Sequence, residues 1–190
     1  MVGLFEWFFC RKTTLEKRQT SQLFVKDDSD SKARPYSVHD CVFCRSYTSD
    51  RGAFHIVWED ADFIAFRDIK PAGQYHVQLI PKQHITSVRD LTIKDVDLVR
   101  RMKQIGNEIL DQFQVPSTHR KMGFHIPPFN SIHHLHLHVQ ALPYVSLLRR
   151  IGYPVVGGFG PFDKGFSWFV EVGQTTRILE RGARVGVFPS

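Results

Sequence analysis

Between Ser131 and Gln140 the chain reads Ser-Ile-His-His-Leu-His-Leu-His-Val-Gln, and four of its ten histidines fall within six positions. His134, His136 and His138 alternate strictly with Leu135, Leu137 and Val139. On a β-strand this period of two sends the imidazoles to one face and the aliphatic side chains to the other. A helix would scatter the same residues around its circumference. The histidine face would then carry three rings about 6.5–7 Å apart. An incidental polar face is the alternative, but Thr, Lys or Ser would serve there as well. Imidazole is the side chain that titrates near neutrality, so the pattern points to chemistry. His133 extends the run but faces the other way by parity.

With 190 residues the chain suits one domain plus a tail. No apolar run approaches the ~20 residues of a spanning helix, which argues against integral membrane association. The net charge of +6 is interleaved with acids, so phosphate-bearing ligands are tolerated without a nucleic-acid track being implied. Three cysteines form no disulfide framework, which fits a reducing compartment, cytoplasmic or nuclear. A mitochondrial presequence is the other reading, because Arg11, Lys12, Lys17 and Arg18 follow an apolar start among several Thr and Ser. Cys41 and Cys44 are spaced for metal or redox chemistry.

Residues 1–38 hold few aliphatics after their aromatic start and read as a disordered extension. The core is expected over 39–145. Phe54–Trp58 and Phe63–Phe66 form a hairpin, Tyr75–Ile80 a third strand, Met122–Ile126 a fourth and His134–Ala141 a fifth. Thr92 caps a helix whose stripe runs Ile93, Val96, Val99, Met102, Ile105, Ile109, Phe113. Residues 146–190 add a Gly- and Pro-rich loop, a strand within Phe166–Val172 and a short helix from Gln174 to Arg181, packing on the core. Strands, one long amphipathic helix, then strands predict an α+β fold on an antiparallel sheet of about five strands.

The triad supports two chemistries: a metal site, or an imidazole attacking phosphorus while its neighbours hold the phosphate oxygens. His134 and His138 would lie about 13 Å apart at Cα, too far for all three rings to share one ion. The central ring has both neighbours within reach of one phosphate. Spacing therefore favours His136 as nucleophile.

His134–Gln140 resembles the His-φ-His-φ-His-φ-φ motif of the histidine triad superfamily of nucleotide hydrolases and transferases. Phe63–Pro71 is similar to its nucleoside-binding hairpin, and Leu79–Ile85 to its Pro-Lys-x-His-Ile segment. The resemblance covers about residues 41–142. Met122–Phe129 and the position of Ser131 look most like the third, divergent member of the Hint branch, and Phe166–Val170 fits that branch's C-terminal segment. The resemblance implies that His136 attacks the α-phosphorus, that the His134 carbonyl orients its ring, and that His138 bonds the non-bridging oxygens. Ser131 would assist near the leaving group. Asp68 would accept both ribose hydroxyls, and Phe43, Phe66 and Ile69 would sandwich the base. His76 matches a further active-region histidine. His125 resembles a histidine that aprataxin-like members place near the phosphate, with two more residues before the triad. Bland readings also exist: the apolar three could be core, and Asp68 a turn residue beside Pro71.

In some members a Cys-x-x-Cys, the Pro-Lys-x-His histidine and the first triad histidine bind structural zinc; Cys41, Cys44, His84 and His134 occupy those positions. Catalysis itself needs no cofactor. The implied activity is release of AMP from adenosine 5′-phosphoramidates or acyl-adenylates through a nucleotidyl-histidine, by an enzyme that dimerises. Alternatives are an aprataxin-like hydrolase of adenylated nucleic acid, although no cysteine follows Cys44, and a nucleotide-binding adaptor with little turnover.

Overall fold

A computed structural model describes residues 41–190. The expected extension over 1–38, with its aromatic start and Cys10, lies outside the described residues. A six-stranded antiparallel sheet dominates: β1 Ile56–Glu59, β2 Phe63–Arg67, β3 His76–Pro81, β4 Arg120–His125, β5 Leu137–Ala141 and β6 Phe169–Glu171, in the order β1-β2-β3-β5-β4-β6. Helices α1 Val42–Arg45, α2 Val96–Gln112, α3 Leu147–Ile151 and α4 Val172–Glu180 complete the described elements with several 3-10 turns. Among the described residues no helix is long and apolar enough to cross a membrane.

Strand parity divides the interior. Phe63, Ala65, Val77, Leu79, Leu135, Leu137, Val139 and Ala141 face the main core beneath α2. Ile64, Phe66 and Ile80 face the other way and pack with Cys41, Phe43 and Cys44. Each fully buried aliphatic of this kind contributes roughly 1.5–3 kcal/mol. Gly106 lets α2 press close, since a Cβ there would stand 2.6 Å from Met122 Sδ and 3.2 Å from Val139 Cγ2. One sheet face is thus sealed by the helix, and the other is left to the polar partners of the same alternation.

The helix stripe is buried from Val96 to Ile109, but Ile93 is 56 % exposed. It sits in the 3-10 turn Ile93–Asp95, capped by Thr92 and Asp95, and three residues per turn carry it off the stripe. The fifth strand starts at Leu137, three residues later than expected. The backbone before it is engaged elsewhere: Leu135 N–H donates to Ile85 O at 2.6 Å, and the His134 carbonyl is taken by the His136 ring. The sheet gains a sixth strand because β6 pairs antiparallel with β4, Gly123 opposite Glu171 and His125 opposite Phe169. Helix α4 follows at once, capped reciprocally by Glu171 and Gln174, and puts Ile178 and Leu179 into the main core.

Candidate active site

The open face of the sheet carries two histidine clusters at neighbouring ends of the triad. In the first, His134 donates Nε2–H to the Pro81 carbonyl at 2.8 Å, which leaves its Nδ1 lone pair towards the thiols. That Nδ1 lies 3.3 Å from Cys41 Sγ and 3.5 Å from Cys44 Sγ, and His84 Nδ1 lies 3.3 Å from Cys44 Sγ. All four donor atoms fall within 4.8 Å of one another. A tetrahedral ion with bonds of about 2.3 Å to sulfur and about 2.0 Å to nitrogen needs nitrogen–sulfur edges near 3.5 Å. The four side chains therefore could hold a metal. Burial pushes the Cys44 thiol up and the His134 imidazole down to about 4, so the ring is neutral and free to ligate.

In the second cluster His136 donates Nδ1–H to the His134 carbonyl at 2.7 Å, leaving Nε2 unprotonated. Burial also lowers this ring to about 4. Beside it three imidazoles form a chain whose polarity is fixed at both ends. Ala72 N–H donates to His76 Nδ1 at 3.1 Å, so His76 carries its proton on Nε2 and donates to His138 Nδ1 at 2.9 Å. At the far end only a carbonyl is offered: His125 Nε2–H donates to Gly152 O at 2.8 Å. His125 Nδ1 therefore accepts from His138 Nε2–H, at 2.9 Å. Two backbone groups independently assign the same tautomer to all three rings. Burial holds His76 at about 4, His138 well below its ordinary value and His125 below it too. The 3.5 and 3.9 Å approaches of Asp68 Oδ2 to His76 and His138 are thus contacts of a carboxylate with neutral rings.

A cavity of about 620 Å³ opens beside this chain. Phe43, Phe66, Asp68, Ile69, His125, Ser131 and His138 line it, seven of the residues singled out from sequence. Phe43 and Phe66 meet edge to face at 5.2 Å, and Phe43 also reaches His136 at 5.5 Å. Ile69 stands at the rim, 91 % exposed. His136 is buried just behind, while His76 lies below His138 and does not line the cavity. Asp68 is anchored: Oδ1 accepts from Lys70 N–H at 2.7 Å and Oδ2 from Gln78 Nε2 at 2.6 Å. His133 is exposed.

Several lining residues carried no signal in the sequence. Arg149 and Tyr153 come from α3 and the segment after it, where only glycine and proline stood out. Tyr153 packs its ring on His138 at 5.3 Å and on His125 at 5.1 Å, and its carbonyl accepts from Lys121 Nζ at 2.5 Å. Phe169 closes the same corner over Gly123, where a Cβ would stand 2.5 Å from the ring. Gln78 shares its face of β3 with His76, a parity that could have flagged it.

The arrangement suits attack at phosphorus: an unprotonated, held nucleophile, neutral neighbours that donate hydrogen bonds, a guanidinium, and a walled cavity ending in a carboxylate. Residues 40–151 match the family described as scavenger mRNA decapping enzyme C-term binding. The chain is 46 % identical over 127 residues to the bifunctional adenosine 5′-phosphosulfate phosphorylase/adenylylsulfatase HINT4 of Arabidopsis thaliana, covering 64 % of this chain and 84 % of that protein. It is 36 % identical over 143 residues to the adenosine 5′-monophosphoramidase HINT3 of Danio rerio, covering 75 % and 83 %. A solved histidine triad protein from Clostridium difficile superposes with a TM-score of 0.50 at 27 % identity, over 56 % of this chain and 94 % of that one.

Proposed function

The chain belongs to the histidine triad superfamily, with Hint-branch relatives, and from that membership we propose that it hydrolyses adenosine 5′-phosphoramidates or acyl-adenylates to AMP. The observation that carries the mechanism is the His136 Nδ1–H bond to the His134 carbonyl, which leaves Nε2 as a lone pair on the ring beside His138 and Phe43. In the first step Nε2 attacks the α-phosphorus and the bond to the leaving group breaks; a carboxylate departs as the anion, and a nitrogen departs with the bonding pair and a proton relayed from water through the Ser131 hydroxyl. In the second, water attacks the same phosphorus, the phosphorus–Nε2 bond breaks, and AMP leaves. His138 Nε2–H would turn from His125 to a non-bridging oxygen, with the Arg149 guanidinium adding charge stabilisation. Ser131 would serve the leaving group. The base would lie against Phe43, Phe66 and Ile69, and the ribose against Asp68.

Zinc is the metal that two thiolates and two imidazoles suit best, and Cys41, Cys44, His84 and His134 would hold it. A closed set of four protein ligands supplies structure only. Because His134 would offer its ring to the metal and its carbonyl to His136, metal and nucleophile share a residue. A homodimer completes the proposal, supported by exposed apolar Leu147, Leu148 and Ile151 on α3.

The test is incubation with AMP-amidates, acyl-adenylates, diadenosine polyphosphates and adenylated DNA, comparing kcat/KM, with acid quench to trap the nucleotidyl-enzyme. Turnover of the first two classes with a trapped adduct is expected. Preference for adenylated DNA would replace this reading with the aprataxin-like one, and absence of turnover would leave the adaptor. Light scattering showing only monomer at micromolar concentration would remove the dimer.

A further inference from the structure

Helix α3 and the residues after it hang on the sheet by two hydrogen bonds. Among the described residues, the bonds that join residues 146–155 to the rest of the chain both come from β4. His125 Nε2–H donates to the Gly152 carbonyl at 2.8 Å, and Lys121 Nζ donates to the Tyr153 carbonyl at 2.5 Å. Lys121, Gly123 and His125 share one face of the strand by its period of two. The two outer side chains thus hold adjacent carbonyls, and the glycine between them makes room for the Phe169 ring. Apolar packing does not fasten α3 instead, since Leu147, Leu148 and Ile151 are largely exposed.

Of the two, the lysine bond is the stronger, because its donor is charged while burial keeps the His125 ring neutral. The Lys121 ammonium is half-buried over the rings of Tyr144 and Phe169, at 5.4 and 5.7 Å from their centres. It gives up hydration there, and the carbonyl and the two ring faces replace it. What this bond fastens reaches the reacting centre in three ways. The Tyr153 ring packs on His138 at 5.3 Å and on His125 at 5.1 Å, the Gly152 carbonyl sets the His125 tautomer, and Arg149, one turn earlier, lines the cavity. We propose that Lys121 is a positioning residue for the reaction at phosphorus: by fastening the Tyr153 carbonyl to β4 it holds that ring, the Gly152 carbonyl and the Arg149 guanidinium in register with the triad. The proposal rests on the hydrolase reading above. Lys121 itself does not line the cavity. The nucleoside walls come from α1, β2 and the loop after β2, so Lys121 bears on the chemical step and not on holding the nucleoside.

The experiment compares wild type, Lys121→Met and Lys121→Arg. It measures kcat on an AMP-amidate, adenosine affinity by calorimetry, and the His125 ring signals in 1H–15N spectra. Methionine keeps the length and apolar packing of the lysine stem but offers no donor, whereas arginine keeps charge and donors. Lys121→Met is expected to lower kcat by ~10- to 100-fold, to leave adenosine affinity within about threefold, and to move the His125 Nε2–H signal. Lys121→Arg should recover most of kcat and return the signal. An unchanged kcat in Lys121→Met would overturn the proposal, and so would a folded Lys121→Arg no more active than Lys121→Met. Equal losses of kcat and adenosine affinity would overturn it too, since they mark general damage to the fold. So would a His125 signal that stays in place while kcat falls, because Lys121 would then act by a route other than this segment. If Lys121→Met does not fold, Lys121→Gln, a shorter side chain without the charge, carries the same comparison. Failure of the hydrolase reading is a separate result: wild type would not turn over, while the His125 signals of wild type and variants would still test the Lys121 bond.

Discussion

The two clusters both draw on the alternating histidines 134–138, yet each is completed by different partners and its rings are held differently. At Cys41, Cys44, His84 and His134 the Nδ1 atoms of both rings face thiols, and the four donor atoms lie together. At His76, His138 and His125 every proton is passed along a chain, and beside them His136 keeps its Nε2 lone pair. Only Leu135 separates His134 from His136. The difference lies in the second nitrogen: the Pro81 carbonyl takes Nε2–H of one ring, and the His134 carbonyl takes Nδ1–H of the other. A backbone oxygen thereby decides which ring nitrogen of each imidazole is left as a lone pair.

The strongest way to break this contrast is His136→Ala. It should lower kcat/KM for AMP release by ~10⁴-fold or more, while AMP affinity stays within severalfold. Activity within tenfold of wild type would sink the nucleophile assignment. Next comes Cys44→Ser. Metal analysis should find about one zinc per wild-type chain and almost none in the variant, with stability reduced by more than ~3 kcal/mol in urea titration. Zinc-free wild type of unchanged stability would leave the first cluster as reduced cysteines beside a buried histidine.

Acid should separate the clusters. His76 is held at about 4 by burial, below the ~6.5 of an exposed ring, so the unfolded chain takes up its proton first. Its contribution is complete above about pH 6.5 and is lost as pH falls towards 4, on the order of 3 kcal/mol for this ring alone. Urea midpoints at pH 7, 5.5 and 4.5 should fall in wild type and also in folded Cys44→Ser, because His76 lies outside the metal set and His134, also held at about 4, adds to the fall once the thiol is gone. A Cys44→Ser midpoint independent of pH would move the acid lability to the ligands. The smallest expected effect is that of His125→Leu. Without the acceptor at Nδ1 the His138 ring loses one of its two anchors, and kcat should fall by ~10-fold with little change in AMP affinity. An unchanged kcat would make His125 a packing residue of the Tyr153 corner.

Much of this architecture could be read from the chain. The alternation at 134–139 assigns the faces of β5, and the spacing from Val96 to Ile109 assigns the covering helix. Both are local periodicities, which a linear sequence records directly. The metal set and the walls at Phe43, Phe66 and Asp68 came through the family resemblance, since nothing local links Cys41 to His134. The contributions of Arg149, Tyr153 and the Gly152 carbonyl were invisible. They depend on where an irregular segment folds back, and such a segment carries no period.

The sequence by itself determined which side chains share a face, because a strand's period of two follows from backbone geometry alone. It also set the inventory: enough imidazole for two sites, and two thiols for one of them. Only the tertiary structure decided what each imidazole is. The Pro81 carbonyl comes from 53 residues away to meet His134, and the Gly152 carbonyl from 27 residues away to meet His125. A tautomer is chosen by the donor or acceptor that reaches the ring, and that choice exists only once the chain has folded around it.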